Sequence, residues 1–409
     1  MSSHPHPSRT AGQPQVPLIL FGAFDRHNFG DLLLGRIAAC GAGTRAHVAA
    51  GLAARDLRRQ GGFAVAALDG LVAAQAGHAF DLLHVGGEIL GCSRYEAAVM
   101  LLAPEEAARV VTRLDQSATA RDQWACGQPG TTHELPYVAS RAAMPGVRRM
   151  LHAGIGGVEL DTLPAMLRNT ALARLREADR IWVRDAVTQA ALNQAGLDSR
   201  LAPDPAALVA RVFSAQIIAR SNGAGLAALR AHFPQGYLAL QFSADFGDDN
   251  TLRQLAEAVE AFAAPRRLGI VAFCAGRAPW HDDPATHRRL RRFLAHPERL
   301  VSSPARGLWA LCALMAQASV VCASSLHARI VGEAFARPVV TVLRTPEAGR
   351  KQTAYARTWD PDPLNPVAPL DALDAALDAA PGHDPLRRRL HAGRLADLAA
   401  DAWQWLMTP

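Results

Sequence analysis

The segment Ala323-Ser324-Ser325-Leu326-His327-Ala328-Arg329 sets a histidine among small hydroxyl residues. The run SVVCAS (319 to 324) before it reads as a buried strand, and the residues after it have helical period over 326 to 336. His327 therefore falls at a helix start, where unpaired backbone N–H groups and a positive dipole end collect. Imidazole exchanges protons near neutral pH, which suits it to acid–base work. The dipole disfavours its charged form, so an anionic donor must offset it. Arg184 closes a second strand pattern, DRIWVRD (179 to 185), just before a helix. Its guanidinium there either grips a phosphate or carboxylate with two N–H groups or pairs with Asp185. After the first strand comes Phe24-Asp25-Arg26-His27-Asn28-Phe29-Gly30-Asp31, in which Asn28 and Asp31 cap the next helix and Gly30 allows a tight turn, or which forms an active-site loop. Gly86-Gly87-Glu88 follows a later strand, and its glycines let the backbone approach a ligand or a neighbouring helix. Gly154-Ile155-Gly156-Gly157 repeats the theme, but neither turn fits GxGxxG with an acidic residue about 20 positions on, so a dinucleotide cofactor is not supported.

These residues all sit just beyond strand patterns. Short apolar or β-branched runs alternate with longer Ala/Leu/Arg segments, which argues for βαβ units and parallel sheets in an α/β fold. VPLILFGA (16 to 23), FDLLHVGG (80 to 87), MLHAGIGG (150 to 157) and DRIWVRD form one series. GYLALQFS (236 to 243), LGIVAFC (268 to 274), SVVCAS and PVVTVL (338 to 343) form a second, with helices expected over 250 to 263, 284 to 296 and 305 to 317. The expected organisation is a disordered tail at 1–15, an N-terminal Rossmann-like domain over 16–205 and a linker over 206–235. A C-terminal Rossmann-like domain over 236–380 and a helix over 384–406 complete it, the helix following an extended Pro-rich stretch at 360 to 369. Residues 117 to 140 read as a long loop. Ligands of such sheets bind beyond the carboxyl ends of the strands, where the residues named above lie.

Composition narrows the chemistry. The 409 residues are half hydrophobic, yet arginines and aspartates interrupt every apolar run before it could span a bilayer. The start lacks the apolar stretch of a signal peptide, and a cytoplasmic location is expected. Cys40, Cys92, Cys126, Cys274, Cys312 and Cys322 are widely spaced with no CxxC pair, which fits free thiols in a reducing compartment and no metal site. The net charge of +6 suits an anionic ligand, but the arginine clusters at 288 to 293 and 387 to 390 lack interleaved aromatics. No nucleic acid is expected, and peripheral contact with an anionic membrane stays open. Lys351 is the one lysine among 43 basic residues, which hints that a compact ammonium matters there.

Taken together and in order, these segments resemble the polysaccharide pyruvyl transferase family. Asn28-Phe29-Gly30-Asp31 is similar to its N-x-G-D loop, and Gly86-Gly87-Glu88-Ile89-Leu90 to its glycine-rich turn. Val183-Arg184-Asp185-Ala186-Val187-Thr188, with Leu192, Gly196 and Asp204-Pro205-Ala206, resembles a second block. Ser324-Ser325-Leu326-His327-Ala328, then Ala334 to Val339, resembles a third. The resemblance implies two Rossmann-like domains facing a cleft in a glycosyltransferase-B-like architecture. It implies phosphoenolpyruvate as donor substrate, a saccharide acceptor that is free or lipid-linked, no metal and no further cofactor.

One departure matters: the family arginine before Leu-His is Ser325 here. Arg329, Arg344 or Arg350 would then supply the charge, and Lys351 resembles the lysine that follows the last strand in this family. The expected acid is His327 and the expected anion grip Arg184, with Asp25, Asp31 or Glu88 as base. A nucleotide-sugar glycosyltransferase and a non-catalytic carbohydrate-binding homologue are the competing readings. Acceptor identity and oligomeric state are not specified by the sequence.

Overall fold

The computed structural model describes residues 16–75, 77–345 and 347–408; the expected tail at 1–15 lies outside them. The first sheet has eight strands: β1 (Leu18–Phe21), β2 (His47–Gly51), β3 (Arg55–Asp56), β4 (Ala64–Ala67), β5 (Phe80–Gly87), β6 (Val147–Ile155), β7 (Arg180–Val183) and β8 (Arg200–Leu201). Their order is β3-β4-β2-β1-β5-β6-β7-β8, parallel except for β3 against β4. The second sheet is wholly parallel, ordered β11-β10-β9-β12-β13-β14. It uses β9 (Tyr237–Gln241), β10 (Gly269–Ala272), β11 (Leu300–Ser302), β12 (Val320–Ala323), β13 (Val339–Leu343) and β14 (Val367–Pro369). β1, β5, β9, β10, β12 and β13 are buried along their whole length, as strands covered by helices on both faces must be.

Several short strands escape the sequence pattern. β2 and β4 are rich in alanine, which favours helix, and only pairing of β2 with β1 and of β4 with β2 makes them extended. Ala118–Cys126 forms a helix inside the stretch read as a loop. Residues 206–235, read as a linker, fold largely as short helices that bury Phe213, Ile217, Leu226 and Leu229 against Leu308–Gln317. The helix Pro385–Met407 crosses back onto the first sheet. Arg149 donates to the carbonyls of Leu406 and Thr408 at 3.0 and 2.9 Å, and Trp403 meets Trp182 edge-on.

In each sheet the winding direction reverses at one point, between β1 and β5 in the first and between β9 and β12 in the second. Loops diverge there and leave a crevice beyond the strand ends. The two crevices face each other. They are joined by a clasp in which Phe29 N donates to Ala275 O (2.6 Å), Arg277 N donates to His27 O (2.9 Å) and Asn28 bridges Gly276.

Candidate active site

The facing crevices enclose a cleft of about 500 Å³. From the first domain it is lined by Arg26, Asn28, Asp31, Gly87, Glu88 and Arg184; from the second by Gln241, His281, Asp282, Ser325, His327 and Lys351. Asn28 caps the helix Phe29–Gly41 by accepting from Gly30 N at 2.9 Å, and its amide meets His281 Nε2 across the domain boundary at 2.9 Å. Gly30 allows this approach: a Cβ on it would overlap the His327 imidazole. Gly87, at φ +83°, turns the chain out of β5 toward Glu88, whereas Gly86 packs on Leu34 behind the cleft.

His327 and Arg184 come from different domains and meet on one carboxylate. His327 Nε2 stands 3.6 Å from Asp204 Oδ2, and Arg184 donates to the same oxygen at 3.2 Å. Arg184 also donates to Glu88 Oε2 at 2.7 Å. Burial alone would lower the Arg184 pKa, but Glu88 and Asp204 outweigh it and keep the guanidinium charged. Burial would likewise raise the Asp204 carboxyl, yet His327, Arg184 and the Ala206 amide hold it below the usual carboxylate range. The protein thus places its own carboxylate, Asp204, beside the histidine at this helix start, where the sequence reading expected the anionic donor alone. Ser325 caps that helix, accepting from Ala328 N at 3.4 Å.

Several expected roles change. Arg184 is 2% exposed with its charge shared between two carboxylates, so it orients Asp204 and Glu88 instead of standing free for an anion. Arg329 lies beneath the cleft, bound to Glu333, Asp360 and Thr341. Arg344 pairs with Asp248 and Arg350 with Asp161, outside the cleft lining. Asp25 accepts from Leu52 N and Ala53 N and fixes a neighbouring loop. Lys351 lines the cleft and has no ion pair among the described residues. Ser324 tethers elements, its hydroxyl accepting from Ser243 N and its carbonyl from Gln352.

Two further residues complete the cleft, Arg26 from the loop after the first strand and Asp282, which carried no sequence signal. Arg26 lies over the Tyr137 ring and pairs with Asp31 at 3.4 Å. Asp282 accepts from Gln241 Nε2 at 2.8 Å and Ala275 N at 2.6 Å, and burial pushes its carboxyl up to about 7. The next residue, Asp283, caps the helix that begins at Pro284.

Residues 156–345 match the family model for polysaccharide pyruvyl transferase. That stretch belongs to the polysaccharide pyruvyl transferase family, a family of transferases. It contains Arg184, Asp204, Asp282 and His327, while the Asn28 and Gly86 motifs lie before it. No curated protein matches the sequence. Among solved structures, UDP-N-acetylglucosamine 2-epimerase from Rickettsia bellii is similar at TM-score 0.54 and 11% identity, over 96% of this chain and 98% of that one. The UDP-forming α,α-trehalose-phosphate synthase from Burkholderia xenovorans is similar at 0.52 and 12%, over 95% and 98%. UDP-GlcNAc 2-epimerase from Neisseria meningitidis follows at 0.50 and 11%, over 95% and 99%. The pyruvyl transferase stretch therefore spans both halves of a glycosyltransferase-B fold, and among the described residues no helix is long and apolar enough to cross a membrane.

Proposed function

We propose that this protein transfers the pyruvyl group of phosphoenolpyruvate onto two hydroxyls of a saccharide as a cyclic ketal. The observation that carries this reading is the alignment of His327, Asp204 and Arg184 on a single carboxylate oxygen within the family-matched stretch. Phosphoenolpyruvate would lie with its anionic groups toward Lys351, Arg26 and the N-terminus of helix Leu326–Ala334. His327, whose Nε2 stands 3.6 Å from Asp204 Oδ2, would give a proton to the methylene carbon. The double-bond electrons form the new C–H bond, and positive charge develops at C2, shared with its oxygen. One sugar hydroxyl then adds to C2, the C–O bond to phosphate breaks, and the second hydroxyl closes the ketal. Of the two hydroxyl protons one restores His327 and one leaves with phosphate, so no redox partner or water is consumed.

Asp282, with a carboxyl titrating near neutrality, and Glu88 are the groups that can receive a hydroxyl proton. Incubation with phosphoenolpyruvate and a panel of saccharides, read by mass spectrometry and phosphate release, should show a pyruvyl adduct. His327→Ala should lower the rate by about 10²–10⁴-fold, the usual worth of a positioned acid. Unchanged transfer by that variant would overturn the assignment. Binding of nucleotides with no binding of phosphoenolpyruvate would favour a nucleotide-sugar glycosyltransferase instead.

A further inference from the structure

On the other side of the clasp lies a second cleft of about 560 Å³, beyond the carboxyl ends of β10 and β11. His27 and Arg277 line it, whereas their neighbours Asn28 and Gly276 line the first. Arg59, Arg277 and Arg306 enter it from both domains, and no carboxylate is among its lining residues. None of the three has an ion pair or side-chain hydrogen bond among the described residues. Asp283, next to the lining Pro284, is spent capping a helix through Ala285 N at 2.8 Å.

Two further features belong to this wall. The ten-residue helix Leu308–Gln317 begins at Gly307, on the cleft, with no side chain capping its N–H groups. Such an end attracts anions. His287, 5% exposed, also lines the cleft and carries a buried ring nitrogen, Nε2, without a partner. A buried polar atom left unpaired is costly, and a hydrogen-bonding ligand would satisfy it. The lining therefore offers three arginines without an ion pair, an uncapped helix start and the His287 ring nitrogen in a space larger than a single phosphate needs.

The geometry points to a binding site for a diphosphate, separate from the His327 cleft, that holds the carrier end of the acceptor. The diphosphate of a sugar nucleotide and that of a polyprenyl-linked sugar share this chemistry. Assignment to the acceptor rests on the pyruvyl-transfer reading; the binding itself does not. Isothermal titration of the full chain with inorganic pyrophosphate tests it. Binding should weaken at least tenfold in Arg277→Ala/Arg306→Ala, and about as much when Arg59→Ala is made instead, with phosphoenolpyruvate affinity unchanged in both. Lys351→Ala should leave pyrophosphate binding as in the native chain. No heat at millimolar pyrophosphate, binding indifferent to the arginine variants, or competitive displacement by phosphoenolpyruvate would overturn the proposal. Parallel titrations with UDP and geranyl diphosphate distinguish the sources by which one gains affinity over pyrophosphate. Equal affinity for all three means that the diphosphate alone is read, which also supports the site. Because pyrophosphate is measured without turnover, a protein that binds it yet transfers no pyruvate would sink the functional reading and leave this one standing.

Discussion

The cleft around His327 and the cleft around Arg277 share the clasp as a wall and differ in how their charges are balanced. The first gathers Asp31, Glu88, Glu96, Glu159, Asp245 and Asp282 around Arg26, Arg184 and Lys351. Two of its cations are committed to carboxylates, Arg184 fully buried and Arg26 nearly so. The second has arginines alone, all solvent-exposed. Paired charges in a closed site fix protons and orientations, as acid–base chemistry demands. Unpaired charges open to water hold an anion without reorganising it, as an anchor requires. In the proposed reaction the donor and the acceptor carrier are both anionic, and two separate clefts would hold them at once without bringing the two charges together.

The largest effect should come from Asp204. Replacing it with Asn removes the anion beside His327 and should lower transfer by about 10²–10³-fold. Arg184 keeps Glu88, so the fold should persist, and retained pyrophosphate binding in the second cleft reports that directly. Loss of both activities together would mean that the two clefts are not independent. A smaller effect is expected of Lys351→Ala, which removes the unpaired cation of the first cleft and should raise the KM for phosphoenolpyruvate about tenfold with kcat little changed, the worth of one charged hydrogen bond. A kcat loss without a KM change would reassign Lys351 to the chemistry.

The smallest effect concerns pH. The Asp282 carboxyl, raised to about 7 by burial, gains its charge as pH rises through that value and adds repulsion toward an anionic donor. The ratio of native to Asp282→Asn KM for phosphoenolpyruvate should therefore grow two- to threefold between pH 6 and 8. The corresponding ratio for pyrophosphate should stay flat, because no carboxylate lines the second cleft. Comparing ratios removes the ligands' own titrations.

How far the sequence reaches differs between residues in the same cleft. Strand-end position located Asn28, Glu88, Arg184, Ser325 and His327, because a parallel sheet exposes its carboxyl ends wherever its strands fall. It did not disclose which cations are free. Arg184, Arg329 and Lys351 look alike as basic residues near strand ends, yet only Lys351 faces the cleft unpaired, because partners such as Asp204, Glu88 and Asp360 come from distant segments. Asp282 gave no signal for the same reason: a loop aspartate becomes a titrating group near pH 7 only when tertiary packing removes its water.

Local patterning determined the alternation of strands and helices, the two Rossmann-like series and the helix start at His327, since apolar period and capping residues act within a few positions of the chain. The tertiary structure alone decided that 206–235 and Pro385–Met407 are packed helices, that Asp204 stands between Arg184 and His327, and that Arg59, Arg277 and Arg306 converge unpaired. Those outcomes depend on which charges and surfaces meet across the fold. Electrostatic energy follows distance and burial, and neither can be read from spacing along the chain.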